Sequence, residues 1–213
     1  MPETRACERC GTPFVPRREH ARFCSPACRA AWNHEHTGDL KAGTSALAWS
    51  ITAMNDTTQR LSQVTAWHQA QAFAVIAEAV WWVTMVDATL VRHHLDAYDT
   101  VITGQAPAER QPTEQTLAGL RFVRNQIGGE ADLAEFVAPG DTDPDNGHIT
   151  SWTWKPVPEP KLTALAPQGQ AWEMTRHQAY QAQLAGHTIE ETFTRAAAFL
   201  QHAVADAPAL TDG

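Results

Sequence analysis

Charge is sparse in this chain and cysteine is absent after residue 28. Only 19% of the 213 residues are charged, below the roughly 25% of ordinary soluble domains. With 43% hydrophobic residues, wholesale disorder is excluded and most of the chain is expected to pack. The length fits one domain, or a small module attached to a domain of about 150 residues. Collagen-like and low-complexity readings fail. The longest apolar stretch, Ala72 to Val91, is interrupted by Glu78 and Asp87. Each acid near a bilayer centre costs a few kcal/mol, so the stretch reads as a buried helix and no membrane partner is expected. No apolar segment with a small-residue cleavage site follows the first five residues, so no export signal is read and a cytoplasmic location is expected. No repeat, no glycine-rich phosphate loop and no Ser-His-Asp or Cys-His order is found.

What is present is unevenly distributed. The formal charge is −8, which repels nucleic acid overall. Yet residues 1–36 carry six Arg against four Glu, while residues 37–213 carry ten Lys and Arg against twenty acids. The acidity belongs to the second part.

All four cysteines lie in the first part, as Cys7-x2-Cys10-x13-Cys24-x3-Cys28. In a reducing compartment two close pairs indicate a metal before a disulfide. Zinc prefers a tetrahedron of four soft ligands, and each close pair supplies one edge of it. Gly11 permits the tight turn after Cys10, and Phe14 and Phe23 are placed to cover the site. Ser25 is a suitable helix cap and Pro26 a suitable first helical residue. Cys28 then falls in the first turn of a helix running toward Trp32, where free amides and the helix dipole favour a thiolate. The expected cofactor is a structural Zn(2+) on Cys7, Cys10, Cys24 and Cys28. Four thiolates leave no open coordination position, so a catalytic role for the metal is not expected.

The fragment CERCGTPFVPRREHARFCSPACRAAW resembles the small four-cysteine zinc-ribbon and treble-clef-like fingers. It covers about an eighth of the chain. Such fingers bind DNA, RNA or protein, or hold an N-terminus together, so the resemblance implies metal more firmly than a partner. Arg17, Arg18, Arg22 and Arg29, with His20 between them, are the candidate nucleic-acid contacts. The alternative is that these arginines offset the roughly −2 charge of a zinc ion bound by four thiolates. His34 and His36 are read as linker.

Beyond residue 44 the text turns Ala-rich with helical periodicity. Helices are expected at about 45–63, with Thr44 or Ser45 as cap, and at 67–102, 113–127, 170–185 and 189–206. Thr188 and Glu191 form a capping box ahead of the last. Residues 138–169 hold six of the thirteen prolines and read as a long irregular loop with a functional lid as one use. Within it Trp152-Thr-Trp154 alternates like a strand, and is expected to lay two rings across the bundle. The fold class is therefore mainly α: a helical bundle of about five helices with a small N-terminal zinc finger. The expected divisions are finger 1–36, linker 37–43, bundle 44–206 and a disordered tail 207–213.

Charged residues on apolar seams carry the remaining information. Phe73, Ile76, Val80, Val83, Asp87, Leu90 and His94 share one seam, and Leu117, Leu120, Arg124 and Ile127 another. A buried ion needs a partner, so an Asp87–Arg124 pair between facing helices is predicted, either to fix register or to line a polar site.

The segment Gly119-Leu-Arg-Phe-Val-Arg-Asn-Gln-Ile-Gly128, in a bundle of this size, resembles the HEPN family. Its ribonucleases carry an Arg, often followed by Asn, and a His four to six residues later, converging at a dimer interface to cut RNA without metal. The resemblance implies catalytic roles for Arg124 and Asn125. The expected His is missing: Glu130 stands in its window as the third catalytic candidate, able to act as a base but a poor substitute for an imidazole near neutral pH, and His148 would have to fold back from the long loop.

His68, His93 and His94 fall along the expected helix 67–102 and His177 on another, and their convergence would give a metal site similar to that of DinB-like helical proteins. Trp81 and Trp82, about 100° apart on a helix, point one ring into the core and the other to a neighbouring helix or a homodimer face. The leading expectation is a non-enzymatic binding or regulatory protein whose finger meets a protein or nucleic acid. The alternative is a divergent HEPN-like ribonuclease or RNA-binding protein.

Overall fold

The computed structural model describes residues 4–16, 21–35, 37–63, 69–128, 131–162 and 165–207, with the backbone alone for Asn33, His34 and residues 37–45. Its elements are β1 (Arg5–Ala6), β2 (Pro13–Phe14), α1 (Pro26–Glu35), α2 (Thr37–Leu61), α3 (Gln69–His93), α4 (Leu95–Gly104), α5 (Pro107–Ile127), β3 (Val137–Pro139), β4 (Trp152–Trp154), α6 (Pro167–Gln183) and α7 (Ile189–Ala205). The fold is mainly α, with the cysteines grouped near the N-terminus.

At the centre lies α3, packed against α2, α5 and α7. Its Val75, Ile76, Val80, Val83, Val86 and Leu90 are buried, which explains the long apolar stretch. The helix is long and apolar enough to cross a membrane by composition, and 61% of that window is buried inside the bundle. Against α5 packs α6, and the contact depends on Gly119. A Cβ there would lie 2.8 Å from Leu184 Cδ1 and 3.0 Å from the Tyr180 Cα. Removing the side chain lets the two backbones approach.

Several boundaries differ from the expected ones. Residues 37–43 are not a linker but the first two turns of α2, and Thr44 and Ser45 lie inside that helix rather than capping it. Pro107 opens α5 six residues before Thr113, because its fixed φ suits the first turn, and Pro112 forgoes only one helical hydrogen bond. The expected helix 67–102 breaks at His94, whose φ of −131° and ψ of 39° leave the helical region. The bend turns Tyr98 against Phe199, with ring centroids 5.0 Å apart. Ahead of α7, Thr188 and Glu191 make both reciprocal bonds of the capping box.

The proline-rich segment is less irregular than its composition implies. β3 and β4 pair antiparallel, with Val137 opposite Trp154. Trp152 and Trp154 are buried, so the segment is a strand that also seats two rings on the bundle. Trp154 Nε1 donates to Thr192 Oγ1 at 3.0 Å, and Phe73 meets the Trp152 ring edge-on at 5.6 Å.

Asp87 is only 1% exposed and is paired, but with Arg121 rather than the expected Arg124. Arg121 Nε donates to Oδ2 at 2.5 Å and Nη2 to Oδ1 at 2.7 Å. Tyr98 adds its hydroxyl to Oδ1 at 3.2 Å. Burial and the neighbouring Asp87 charge push the Tyr98 phenol well above its usual pKa, so it stays a donor. The reason for the exchange is axial register. Because α3 and α5 run antiparallel, a step of one turn along α5 moves its side chain toward the start of α3. Arg124 therefore meets Trp81, with its guanidinium 5.2 Å from the ring centroid.

Removing one partner strands a buried charge. Asp87→Ala is expected to lower unfolding stability by about 3–5 kcal/mol in chemical denaturation, whereas Asp87→Leu combined with Arg121→Met loses markedly less. Equal losses in the two variants would contradict a buried, mutually neutralising pair.

Candidate metal centre and arginine cleft

The finger is built from two turns that bring four sulfurs together. Gly11, at φ 70°, closes the first turn by donating its N–H to the Cys7 carbonyl at 2.8 Å, and the Cys7 N–H donates to Thr12 O at 3.0 Å. At the second, the Cys28 N–H donates to Ser25 Oγ at 3.2 Å, the cap expected ahead of Pro26. The Glu8 N–H donates to Arg22 O at 3.0 Å and ties the two halves together.

Atoms Sγ of Cys7, Cys10, Cys24 and Cys28 all lie within 4.8 Å of one another. The Cys10–Cys24 and Cys24–Cys28 sulfurs are 3.7 and 3.6 Å apart. A tetrahedron with metal–sulfur bonds of about 2.3 Å has edges of about 3.8 Å, whereas a disulfide needs about 2.05 Å. The spacing is that of a shared metal ion, and the four thiols are free of disulfides. Their ionisation is staggered. Burial opposes it at Cys7, but the amides of Cys24, Cys10 and Arg9 prevail and lower that pKa to about 6. The neighbouring sulfurs of Cys28 and Cys10 push Cys24 up to about 12. A cation bound at the centre removes this mutual opposition and holds all four as thiolates.

Around the centre the finger is tied down by its own charges. Arg22 grips Glu8 through two hydrogen bonds of 2.8 and 2.5 Å and lies 4.6 Å from the Trp32 ring centroid. The Arg22 guanidinium in turn holds the Glu8 carboxyl below its usual pKa. Arg29 pairs with Asp96 at the start of α4, and Arg9 with Glu35 at 2.6 Å. Arg22 and Arg29 thus hold the finger together and attach it to the bundle; Arg17, Arg18 and His20 lie outside the described residues. Phe23 packs against Trp32, with ring centroids 5.7 Å apart and the planes tilted by 47°. With Phe14 and Cys24 it lines a cavity of about 610 Å³ between finger and bundle.

A second cavity, of about 600 Å³, adjoins the first where the finger overlies α3, α5 and α6. Its lining contains six arginines, namely Arg5, Arg22, Arg92, Arg121, Arg124 and Arg176, against Glu8 and Asp87. The finger supplies Arg5, Glu8 and Arg22. From α3 come Thr84, Ala88, Val91 and Arg92, at the spacing of one helical face. Arg124 and Asn125 enter from α5, so two of the three residues expected to be catalytic do reach a cleft. The third, Glu130, lies outside the described residues. The Asn125 amide donates to both oxygens of Glu173 at 3.1 Å, and Arg176 donates to the same carboxylate at 2.8 Å. His148 is exposed in a turn closed by the Asp143 N–H on its carbonyl and is not among the lining residues.

No histidine centre forms among the described residues, where the four cysteines are the only group placed to hold a metal ion. His177 Nε2 lies 3.1 Å from the Val157 carbonyl, His94 occupies the α3–α4 bend, and His68 is outside the described residues. Of the paired tryptophans, Trp81 is 48% exposed, while Trp82 meets Trp49 edge-on at 5.4 Å. Sequence reasoning missed Arg5, Arg92, Arg121 and Arg176 as site residues. The signal for Arg92 was its place on the Thr84–Ala88–Val91 face; Arg5 and Arg176 come from elements whose mutual placement no local pattern encodes.

Replacing one ligand should open the tetrahedron. Cys24→Ser is expected to lose the bound metal in elemental analysis while keeping most of the helical circular dichroism. Unchanged metal stoichiometry would contradict the four-thiolate assignment.

No family model, no curated protein and no solved structure matches the chain, so what the site does has to be read from its own residues.

Proposed function

We propose that the metal is zinc and that this is a non-enzymatic binding protein, in which a zinc-organised finger roofs a ligand cleft on the helical bundle. The observation that carries this reading is the double role of the finger. Its sulfurs sit at tetrahedral spacing, and Arg5, Glu8 and Arg22, each within two residues of a cysteine, form one wall of the cleft. A module this short cannot build a hydrophobic core of its own, so the metal supplies the order that places those side chains. Tetrahedral thiolate coordination favours zinc, and a closed set of four cysteines supports a structural role for it.

The ribonuclease reading draws on Arg124 and Asn125 sharing one cleft. Against it stand the commitment of the Asn125 amide to Glu173 and the placement of Arg124 over Trp81. Neither arrangement presents an acid and a base to a common phosphate.

Two measurements on the full chain test the reading together. Elemental analysis of protein purified without added metal should find one zinc per chain, and incubation with mixed RNA should give no cleavage that depends on Arg124. Cleavage abolished by Arg124→Ala would establish the ribonuclease instead, and another metal or no metal would overturn the zinc assignment.

A further inference from the structure

Among the described residues, the arginines lining the cleft outnumber the carboxylates there, six to two. Asp87 meets Arg121, Glu8 meets Arg22 and Glu173 meets Arg176. Among the described residues, Arg92 and Arg124 have no carboxylate partner, although both line the cavity. In a concavity that already holds four other guanidinium groups, on a chain with a net charge of −8, these two add charge that repels its neighbours. An anion placed between them removes that repulsion.

Size and surroundings narrow the anion. A cleft of about 600 Å³ falls in the range that encloses one small molecule. From Trp81 to Arg92 the α3 face runs about 16 Å, at 1.5 Å per residue. Arg124 stands at the Trp81 end of this face: it lines the cavity, and its guanidinium lies 5.2 Å from the ring centroid of the half-exposed Trp81. The guanidinium plane and the indole offer a stacking surface for a flat ring beside the cationic pocket. A long polyanion meets a different field. Beyond the cleft it would face the acidic bundle, where twenty acids outnumber ten bases over residues 37–213, and would be repelled.

We infer that the arginine cleft between finger and bundle is a binding site for a small phosphate ester of nucleotide size, with Arg92 and Arg124 holding the phosphate and the Arg124–Trp81 pair taking the ring. The inference rests on the reading of the finger as the roof of this cleft. Arg121, fixed by the buried Asp87, contributes a donor at the floor whose orientation is set before the ligand arrives.

The test is isothermal titration of the zinc-loaded full chain with pyrophosphate, AMP and ADP at low and moderate salt, alongside a twelve-residue single-stranded oligonucleotide. One-to-one, salt-sensitive binding of ADP or AMP is expected, tighter than that of pyrophosphate. Arg92→Gln and Arg124→Gln should each weaken it roughly tenfold or more, with thermal melting unchanged, while the exposed Lys161→Gln has no effect. Absence of binding by all three small probes, binding by both arginine variants as tight as by the parent, or binding of the oligonucleotide alone would overturn the inference. Failure of the underlying reading gives a different pattern: Cys24→Ser, stripped of metal, would then bind ADP as tightly as the parent.

Discussion

A carboxylate buried in the C-terminal half of α3 dictates what can surround it. Asp87 is reached by Arg121 from α5 and by Tyr98 from α4, and these contacts fix how three helices sit against one another. The two hydrogen bonds of the guanidinium set the register of α5 on α3, since a shift of one turn would bring Arg124 to the carboxylate and leave Arg121 unmatched. The Tyr98 contact gives the break at His94 a purpose, because a straight continuation of α3 would carry the phenol past its acceptor. The same ion pair lies on the wall of the arginine cleft, so the element that fixes the core also orients the floor of the site.

Above that floor the finger contributes what the bundle lacks. Two two-residue strands and one short helix bury little apolar area, and their order comes from the cysteine tetrahedron and from ties such as Glu8–Arg22, Arg9–Glu35 and Arg29–Asp96. Exposed ion pairs of this kind are each worth at most about 1 kcal/mol, whereas the zinc proposed for the four cysteines would supply on the order of ten. On that proposal coordination dominates the finger, and the Arg29–Asp96 salt bridge ties it to the bundle. Of the arginines read from the sequence as candidate nucleic-acid contacts, Arg22 closes on Glu8 within the finger and Arg29 pairs with Asp96 of the bundle.

Much of this was legible in the sequence where a local rule applied. Cysteine spacing, the Ser25-Pro26 start and the Thr188–Glu191 box each involve atoms a few residues apart, so the residues that make the structure are adjacent on the page. The Asp87 seam correctly demanded a buried partner. Its identity was not legible, because helical periodicity gives the face of a residue and not its height along a neighbouring helix, and Arg121 lies only one turn from Arg124. The β3–β4 pair and the cleft were hidden for a related reason: they join Arg5, Arg92 and Arg176, or Val137 and Trp154, across long separations. The break at His94 has no glycine or proline to announce it.

The account stands on the separateness of the two layers: a bundle ordered by its own core and a finger ordered by metal. Hydrogen exchange before and after chelation of the metal tests this most directly. Exchange should rise across residues 4–35 while the amides around Asp87 in α3 and Arg121 in α5 keep their protection. Protection lost throughout the bundle, or a finger that exchanges no faster without its metal, would contradict it.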